Sequence, residues 1–436
     1  MSQQPFDPQK LVRQAQAGNA GAQYQLAALL SGQNRKDDAV AWLRKAAAGG
    51  HMDARYTLAT FALKGLNVPR NIPHAVTILE QNAAKAHGPS CQLFSVLKAT
   101  GHGTDQNWAD ALDLLLVPAA DGNPVAMREL ALLLIWAGCE KRLADNLLRA
   151  AATRGDILAL VPLVRRFLAG QGDVSAAYAK TAALALAEAG HPLGSGLAEQ
   201  IHADPLSERQ GAADVPSVRG GVIKKKLLAA LETGNNCCVT ILDRPRVRTS
   251  AGFIPRDIAD YLIGQAAPRL HPSMILDPRS GQLIRDPYRL SSNMTFWPED
   301  MDLVVCAVSE AMCRLAGVDR AHGEMLSILH YEPGERYEPH YDCLVDGQIG
   351  ANEELARSGQ RPATVLVYLN EDYEGGETRF CHADYEHTGN IGDALHFENI
   401  LADGSIDEQS LHEGLEVTSG KKWIASMWIR DKVYQY

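Results

Sequence analysis

A chain of 436 residues is too long for one ordinary core, and its 46% hydrophobic content supports full folding into two domains. Lys and Arg number 42 against 52 Asp and Glu, a formal charge of -10, which argues against a general nucleic-acid surface or an anionic membrane as partner. The N-terminal text has neither a basic n-region nor an apolar h-region, apolar runs such as Ala131 to Ala137 fall short of a membrane span, and the 8 Cys show no Cys-x-x-Cys spacing and no dense disulfide framework. A cytoplasmic protein with reduced thiols is expected, Cys343 among them as a small buried hydrophobe.

From about residue 10 to 205 the text repeats itself. Glycines recur at Gly18, Gly50, Gly88, Gly122, Gly155 and Gly190, about 34 residues apart on average, the period of a tetratricopeptide-like helix-turn-helix unit. Each precedes a first helix with a shared apolar rhythm (Ala22 to Leu26, Ala54 to Leu58, Ser90 to Phe94, Ala126 to Leu130). A second helix then carries small residues (Ala39, Ala75, Ala111, Ala144, Ala177) where neighbouring helices must approach closely. These units resemble Sel-one-like repeats, a tetratricopeptide-related family used for protein interaction, and about five pairs would stack into an all-α solenoid with a concave face. The array either recruits a peptide or protein or only packs and self-associates, and the oligomeric state stays open.

Residues 206–221 read as a polar linker, followed by a basic run, Lys224 to Lys226, on a solvated helix face. The second domain, 222–436, opens with a strand-like run from Cys238 and amphipathic stretches over Pro255 to Gln265 and Asp300 to Leu315. From about 325 to 432 the text turns to short β-runs, predicting two antiparallel sheets in a double-stranded β-helix (jelly roll) with supporting helices. The Gly-rich, acidic segment from Leu344 to Gln360 is either a lid over substrate or a passive insertion.

Within this region His340 and Asp342 stand two residues apart, so a strand would point both at one metal. His412, from a distant strand, completes a two-His, one-carboxylate face suited to Fe(II), with positions left open for a co-substrate and O₂. Lys422, ten residues on, is a lone cation suited to an acidic co-substrate. His330, His382, His387 and His396 lack partner spacing and are read as core or surface residues.

The surrounding motifs are Tyr331-Glu-Pro-Gly334, Tyr337-Glu-Pro-His340-Tyr-Asp342, Arg361-Pro-Ala-Thr364, Gly375-Gly-Glu-Thr378, Gly392-Asp-Ala-Leu395 and Lys422-Trp-Ile-Ala-Ser-Met-Trp428. Together they resemble the catalytic domain of the prolyl 4-hydroxylase family, the Fe(II)- and 2-oxoglutarate-dependent dioxygenases. The resemblance implies that His340, Asp342 and His412 bind iron and that Lys422 holds the far carboxylate of 2-oxoglutarate. It implies that Tyr331 and Thr364 also touch that co-substrate, that Trp428 lies near the site, and that Arg289 belongs to an element by the substrate groove. It further implies oxidative decarboxylation of 2-oxoglutarate to succinate and CO₂, with L-ascorbate as an accessory. Glu335 departs from the family's usual Gln after Gly334. Three functions follow: hydroxylation of prolyl residues in a peptide or protein recruited partly by the repeats; the same chemistry on another side chain, a free amino acid or a small metabolite; or a catalytically inactive interaction scaffold.

Overall fold

A computed structural model describes residues 7–171, 174–206, 213–218, 220–233, 237–276, 283–285, 288–345 and 351–435. Part of the linker and residues 346–350 of the acidic segment lie outside the described residues. The chain divides into two compact units, Met1–Asp121 and Gly122–Tyr436.

The first unit is helical throughout. Helix α1 (Pro8–Gln16) precedes three antiparallel pairs: α2 (Ala20–Gly32) with α3 (Lys36–Ala48), α4 (Met52–Lys64) with α5 (Ile72–Ala83), and α6 (Gly88–Thr100) with α7 (Trp108–Ala120). Alanines make the close contacts: Ala46, Ala54, Ala59, Ala75 and Ala111 are completely buried. Helix starts are capped by side chains, as where Asn71 Oδ1 accepts the His74 N–H at 3.1 Å and Asn107 Oδ1 that of Asp110 at 3.0 Å. The repeat glycines Gly18 and Gly50 take left-handed backbone at the helix-helix turn, with φ of 91° and 85°. Gly88 does not; it begins α6, and Ala86 takes the positive φ instead, at 58°.

The second unit continues the pairs with α8 (Pro124–Trp136), α9 (Lys141–Thr153), α10 (Leu160–Leu168), α11 (Ala176–Glu188) and a short α12 (Gly194–Glu199). After α13 (Gly220–Thr233) come α14 (Arg256–Ala266) and α15 (Leu303–Leu315), which support the sheets. The helical repeats and these supporting helices share buried polar contacts. Arg128 on α8, 4% exposed, donates to the Asp156 carboxylate at 2.5 Å and to the Tyr261 hydroxyl on α14 at 3.2 Å. Tyr261 in turn donates to Asp302, whose other oxygen caps α15 by accepting the Val305 N–H. Arg165 on α10 holds Asp260, 1% exposed, at 2.8 Å. The described part of the linker is fastened as well: Ala213 exchanges hydrogen bonds with the Arg154 guanidinium and the Thr153 hydroxyl at the end of α9.

Among the described residues sixteen strands build the rest. The major sheet holds β1 (Val239–Asp243), β2 (Arg246–Ser250), β3 (His271–Pro272), β6 (Ser292–Thr295), β7 (Ser327–Tyr331), β9 (Ala363–Tyr368), β13 (Ala394–Glu398) and β16 (Lys422–Ile429), in the order β1-β2-β13-β9-β16-β7-β6-β3. The minor sheet is β12 (Tyr385–His387), β11 (Thr378–Phe380), β14 (His412–Gly414) and β8 (Tyr337–His340), in that order. Two small ribbons pair β4 (Met274–Leu276) with β5 (Leu283–Arg285) and β10 (Tyr373–Gly375) with β15 (Val417–Gly420). All pairs are antiparallel, as a jelly roll requires. The apolar run Ala363–Tyr368 forms β9, buried at every position between β13 and β16. Phe380, Phe397, Tyr368, Leu395 and Val247 fill the core around it.

Strands β7 and β16 pair Tyr331 with Lys422 and His330 with Trp423. Alternation sends the first pair into the cleft described below, while His330 and Trp423 line a second cavity of about 510 Å³ with His191, Gly264 and Arg269. Within the segment read as lid or insertion, Ala351–Ser358 forms α16, and Glu354 on it accepts from the buried Arg430 at 3.0 Å. Among the described residues no helix is long and apolar enough to cross a membrane.

Candidate active site

Strand β14 pairs directly with β8, and the register sets His412 opposite His340. Their rings lie 4.3 Å apart between centroids. Asp342 is not on the strand; β8 ends at His340 and the carboxylate stands in the bend that follows. The bend still brings Asp342 Oδ1 to 3.6 Å from His340 Nε2 and Oδ2 to 3.5 Å from His412 Nε2. One ligand atom from each of the three residues lies within 4.8 Å of the others.

Donor chemistry at this cluster fits an iron ion. His340 Nδ1 hydrogen-bonds the Glu338 carbonyl at 2.8 Å and His412 Nδ1 the Ser410 carbonyl at 2.9 Å. A carbonyl can only accept, so each Nδ1 carries a proton, the tautomer that in a neutral imidazole leaves Nε2 to present its lone pair. Burial, and then the neighbouring His340, push the His412 imidazole down to about 4, so it is neutral at physiological pH and needs no deprotonation to bind a metal. For Asp342 burial alone would raise the carboxyl, but His412, His340 and the Thr364 hydroxyl outweigh it and hold the group far below the usual carboxylate range. Two nitrogens and a carboxylate, with no thiolate, suit non-haem iron rather than structural zinc.

Lys422 opens β16, only 4% exposed. Its Nζ donates to the Gly376 carbonyl at 2.7 Å and lies 5.5 Å from the Tyr331 ring and 5.8 Å from that of Tyr368. It forms no ion pair among the described residues. Burial lowers its ammonium to about 8, against a smaller opposing pull from Glu377. A buried cation without a counter-ion is costly by itself and becomes favourable when a carboxylate arrives. Between this ammonium and the three-residue cluster runs a cleft lined by Tyr331, Leu329, Leu366, Ile424 and Trp428, with Arg289 and Tyr337 at the same cleft.

The structure therefore brings His340, Asp342, His412, Lys422, Tyr331, Arg289 and Trp428 to one cleft. Residues 422, 424, 426 and 428 share a strand face, which the even spacing in the sequence already requires. Thr364 is fully buried and its hydroxyl donates to Asp342 Oδ2 at 2.7 Å, so its one proton is directed at the carboxylate. Trp428 carries the Arg361 guanidinium 3.6 Å above its ring. Among the other histidines, His396 is buried and bonded to Arg248, its imidazole pushed down to about 3 by burial, and His330 packs on Trp423 at 4.2 Å. Cys343 is buried and its thiol is pushed up to about 11 by burial. Two contributors carry no spacing signal: the Gly376 carbonyl, a backbone group, and Asn399, a loop asparagine beyond β13.

Residues 326–430 match the family model of the 2OG-Fe(II) oxygenase superfamily. The chain is 35% identical over 202 residues to prolyl 4-hydroxylase 1 of Arabidopsis thaliana, covering 43% of this chain and 70% of that protein. It is 31% identical over 257 residues to probable prolyl 4-hydroxylase 10 of the same plant, covering 52% of this chain and 86% of that protein. Among solved structures it is similar to a viral collagen prolyl hydroxylase from Paramecium Bursaria Chlorella virus-1 in complex with 2OG, at 26% identity and a TM-score of 0.33, over 42% of this chain and 95% of that one. A Sel1 repeat protein from Oxalobacter formigenes matches 42% of this chain and 76% of its own at 19% identity and a TM-score of 0.36. With relatives above 30% identity covered over more than two thirds of their length, this chain belongs to the prolyl 4-hydroxylase family of Fe(II)- and 2-oxoglutarate-dependent oxygenases.

Proposed function

We propose that the protein hydroxylates prolyl residues of a peptide or protein, using Fe(II), 2-oxoglutarate and O₂ and releasing succinate and CO₂. One observation carries this reading: three side chains able to ligate a metal and one buried lysine with no ion pair among the described residues share a single cleft. In this reading His340, Asp342 and His412 hold the iron, Lys422 with Tyr331 receives the far carboxylate of 2-oxoglutarate, and Trp428 closes the cleft. The iron supplies the activation of O₂ that no side chain can perform. The protein's own part is to orient and to exclude water: carbonyls fix both imidazoles, Thr364 holds the carboxylate, and Leu329, Leu366 and Ile424 dry the walls. The helical repeats help to recruit the substrate, L-ascorbate keeps the iron reduced, and the eight free thiols suit the cytoplasm. The intact constellation favours an enzyme over a scaffold.

The deciding experiment incubates the protein with Fe(II), 2-oxoglutarate and proline-rich peptides and follows succinate together with the peptide mass. Iron-dependent succinate release with one oxygen atom added to proline supports the proposal. Succinate without a hydroxylated peptide assigns the chemistry to another substrate, and no succinate removes the oxygenase reading.

Lys422→Ala should raise the KM for 2-oxoglutarate about 10- to 100-fold, the worth of a charge-assisted hydrogen bond of ~1.5–3 kcal/mol, with a smaller change in kcat. Because the ammonium of the free protein titrates near 8, wild-type affinity for 2-oxoglutarate should fall as pH rises past that value, where the charge is lost. The variant should lose this alkaline limb. Binding curves at pH 7 and 9 check both; an unchanged KM would remove Lys422 from the co-substrate site.

A further inference from the structure

We propose that Asn399, acting through Thr364, is the positioning residue that fixes the metal-binding carboxylate of Asp342 relative to His412. The inference rests on the iron site just described. Asn399 is fully buried in the turn after β13, and its side-chain amide donates to Thr364 Oγ1 at 3.1 Å and to the Arg361 carbonyl at 3.2 Å. Thr364 passes the contact on, donating to Asp342 Oδ2. The amide can stand only one way round, because the Arg361 carbonyl must accept and the Thr364 proton is already given to the carboxylate.

The backbone of the same residue reaches the other ligand. The Asn399 carbonyl accepts the Asp407 N–H at 3.0 Å and the Ser410 hydroxyl at 3.4 Å, and the Ser410 carbonyl is the group that orients the His412 ring. Its N–H donates to the Pro362 carbonyl at 2.8 Å, tying it to the segment that carries Arg361 and Thr364. One residue thus joins the support of Asp342 to the support of His412. Its Oδ1 is buried with no hydrogen-bond partner among the described residues, so the side chain's bonds are made by the amide nitrogen and go to Thr364 and the Arg361 carbonyl. With Oδ2 held by Thr364, the carboxylate is restrained from rotating and keeps its place beside both imidazoles, where it would serve as a ligand.

The test titrates the full-length protein with Co(II), an air-stable probe of the same ligands, by visible absorption and calorimetry. Thr364→Val should weaken Co(II) binding about 10- to 100-fold and Asn399→Ala about 10-fold, the usual span for groups that orient metal ligands. Thr364→Ser, which keeps the hydroxyl, should bind close to wild type. The double variant should be no weaker than Thr364→Val alone, because both act on one carboxylate. Folded variants that bind Co(II) like wild type, or effects that add, overturn the proposal. If Asn399→Ala does not fold, the Thr364 pair decides: equal affinity for the Val and Ser variants overturns it. Failure of the wild type to bind Co(II) would instead sink the oxygenase reading itself.

Discussion

Asp342→Ala should lower iron-dependent succinate release by a factor of about 1,000 or more, equivalent to at least ~4 kcal/mol in the barrier. The size follows from what the side chain does. It is the one anionic donor among the three residues, buried, with its carboxyl held far below the usual range and a hydroxyl donating to it. Without it two imidazoles remain, their rings 4.3 Å apart, and a divalent ion loses both a ligand and charge compensation. The fold should survive, since the loss leaves Thr364 with one unmet hydroxyl, worth about 1–3 kcal/mol. Succinate assays paired with a melting curve check this. A folded Asp342→Ala protein with more than about a tenth of wild-type turnover would show that the cluster is not the reaction centre.

Where the chain is cut should matter as strongly. A fragment starting at Gly122 should fold and decarboxylate 2-oxoglutarate, whereas one starting at Leu206, where the polar text suggests a boundary, should not fold. The second cut removes Arg128, Glu129, Asp156 and Arg165, partners of Tyr261, Asp302, Leu303 and Asp260 on the supporting helices. It also strips apolar cover: Leu133 and Trp136 of α8 line one small cavity with Ala307 and Ala311 of α15. Losing an entire packed layer exceeds the ~5–15 kcal/mol by which domains are stable. Circular dichroism and gel filtration of both fragments, followed by succinate release, check the expectation. A monomeric, active fragment from Leu206 would refute it.

The sequence made the repeats legible through periodicity, since helix pairs of fixed length return Gly and Ala to the same places. It made the ligand set legible through residue type and order. What it hid is tertiary. Asp342 reaches the cluster from a bend rather than a strand, so the pair that the two-residue spacing suggests is brought together by a different backbone. Thr364 carries the family motif, yet its contact with Asp342 depends on how the major sheet's β9 meets the bend after β8 of the minor sheet, which no spacing encodes. Asn399 has no motif at all, because a buried amide in a turn reads in text like any loop asparagine. Polar residues 206–221 resemble a free tether, but Ala213 is fastened to α9.

Neighbours in the text of β16 serve opposite chambers: Lys422 faces the cleft and Trp423 the cavity shared with His191 and Arg269. The residues that divide them alternate along the paired strands β7 and β16. A change that crowds the indole therefore bears on the ammonium one residue away, so the rear chamber and the cleft are constrained to vary in concert.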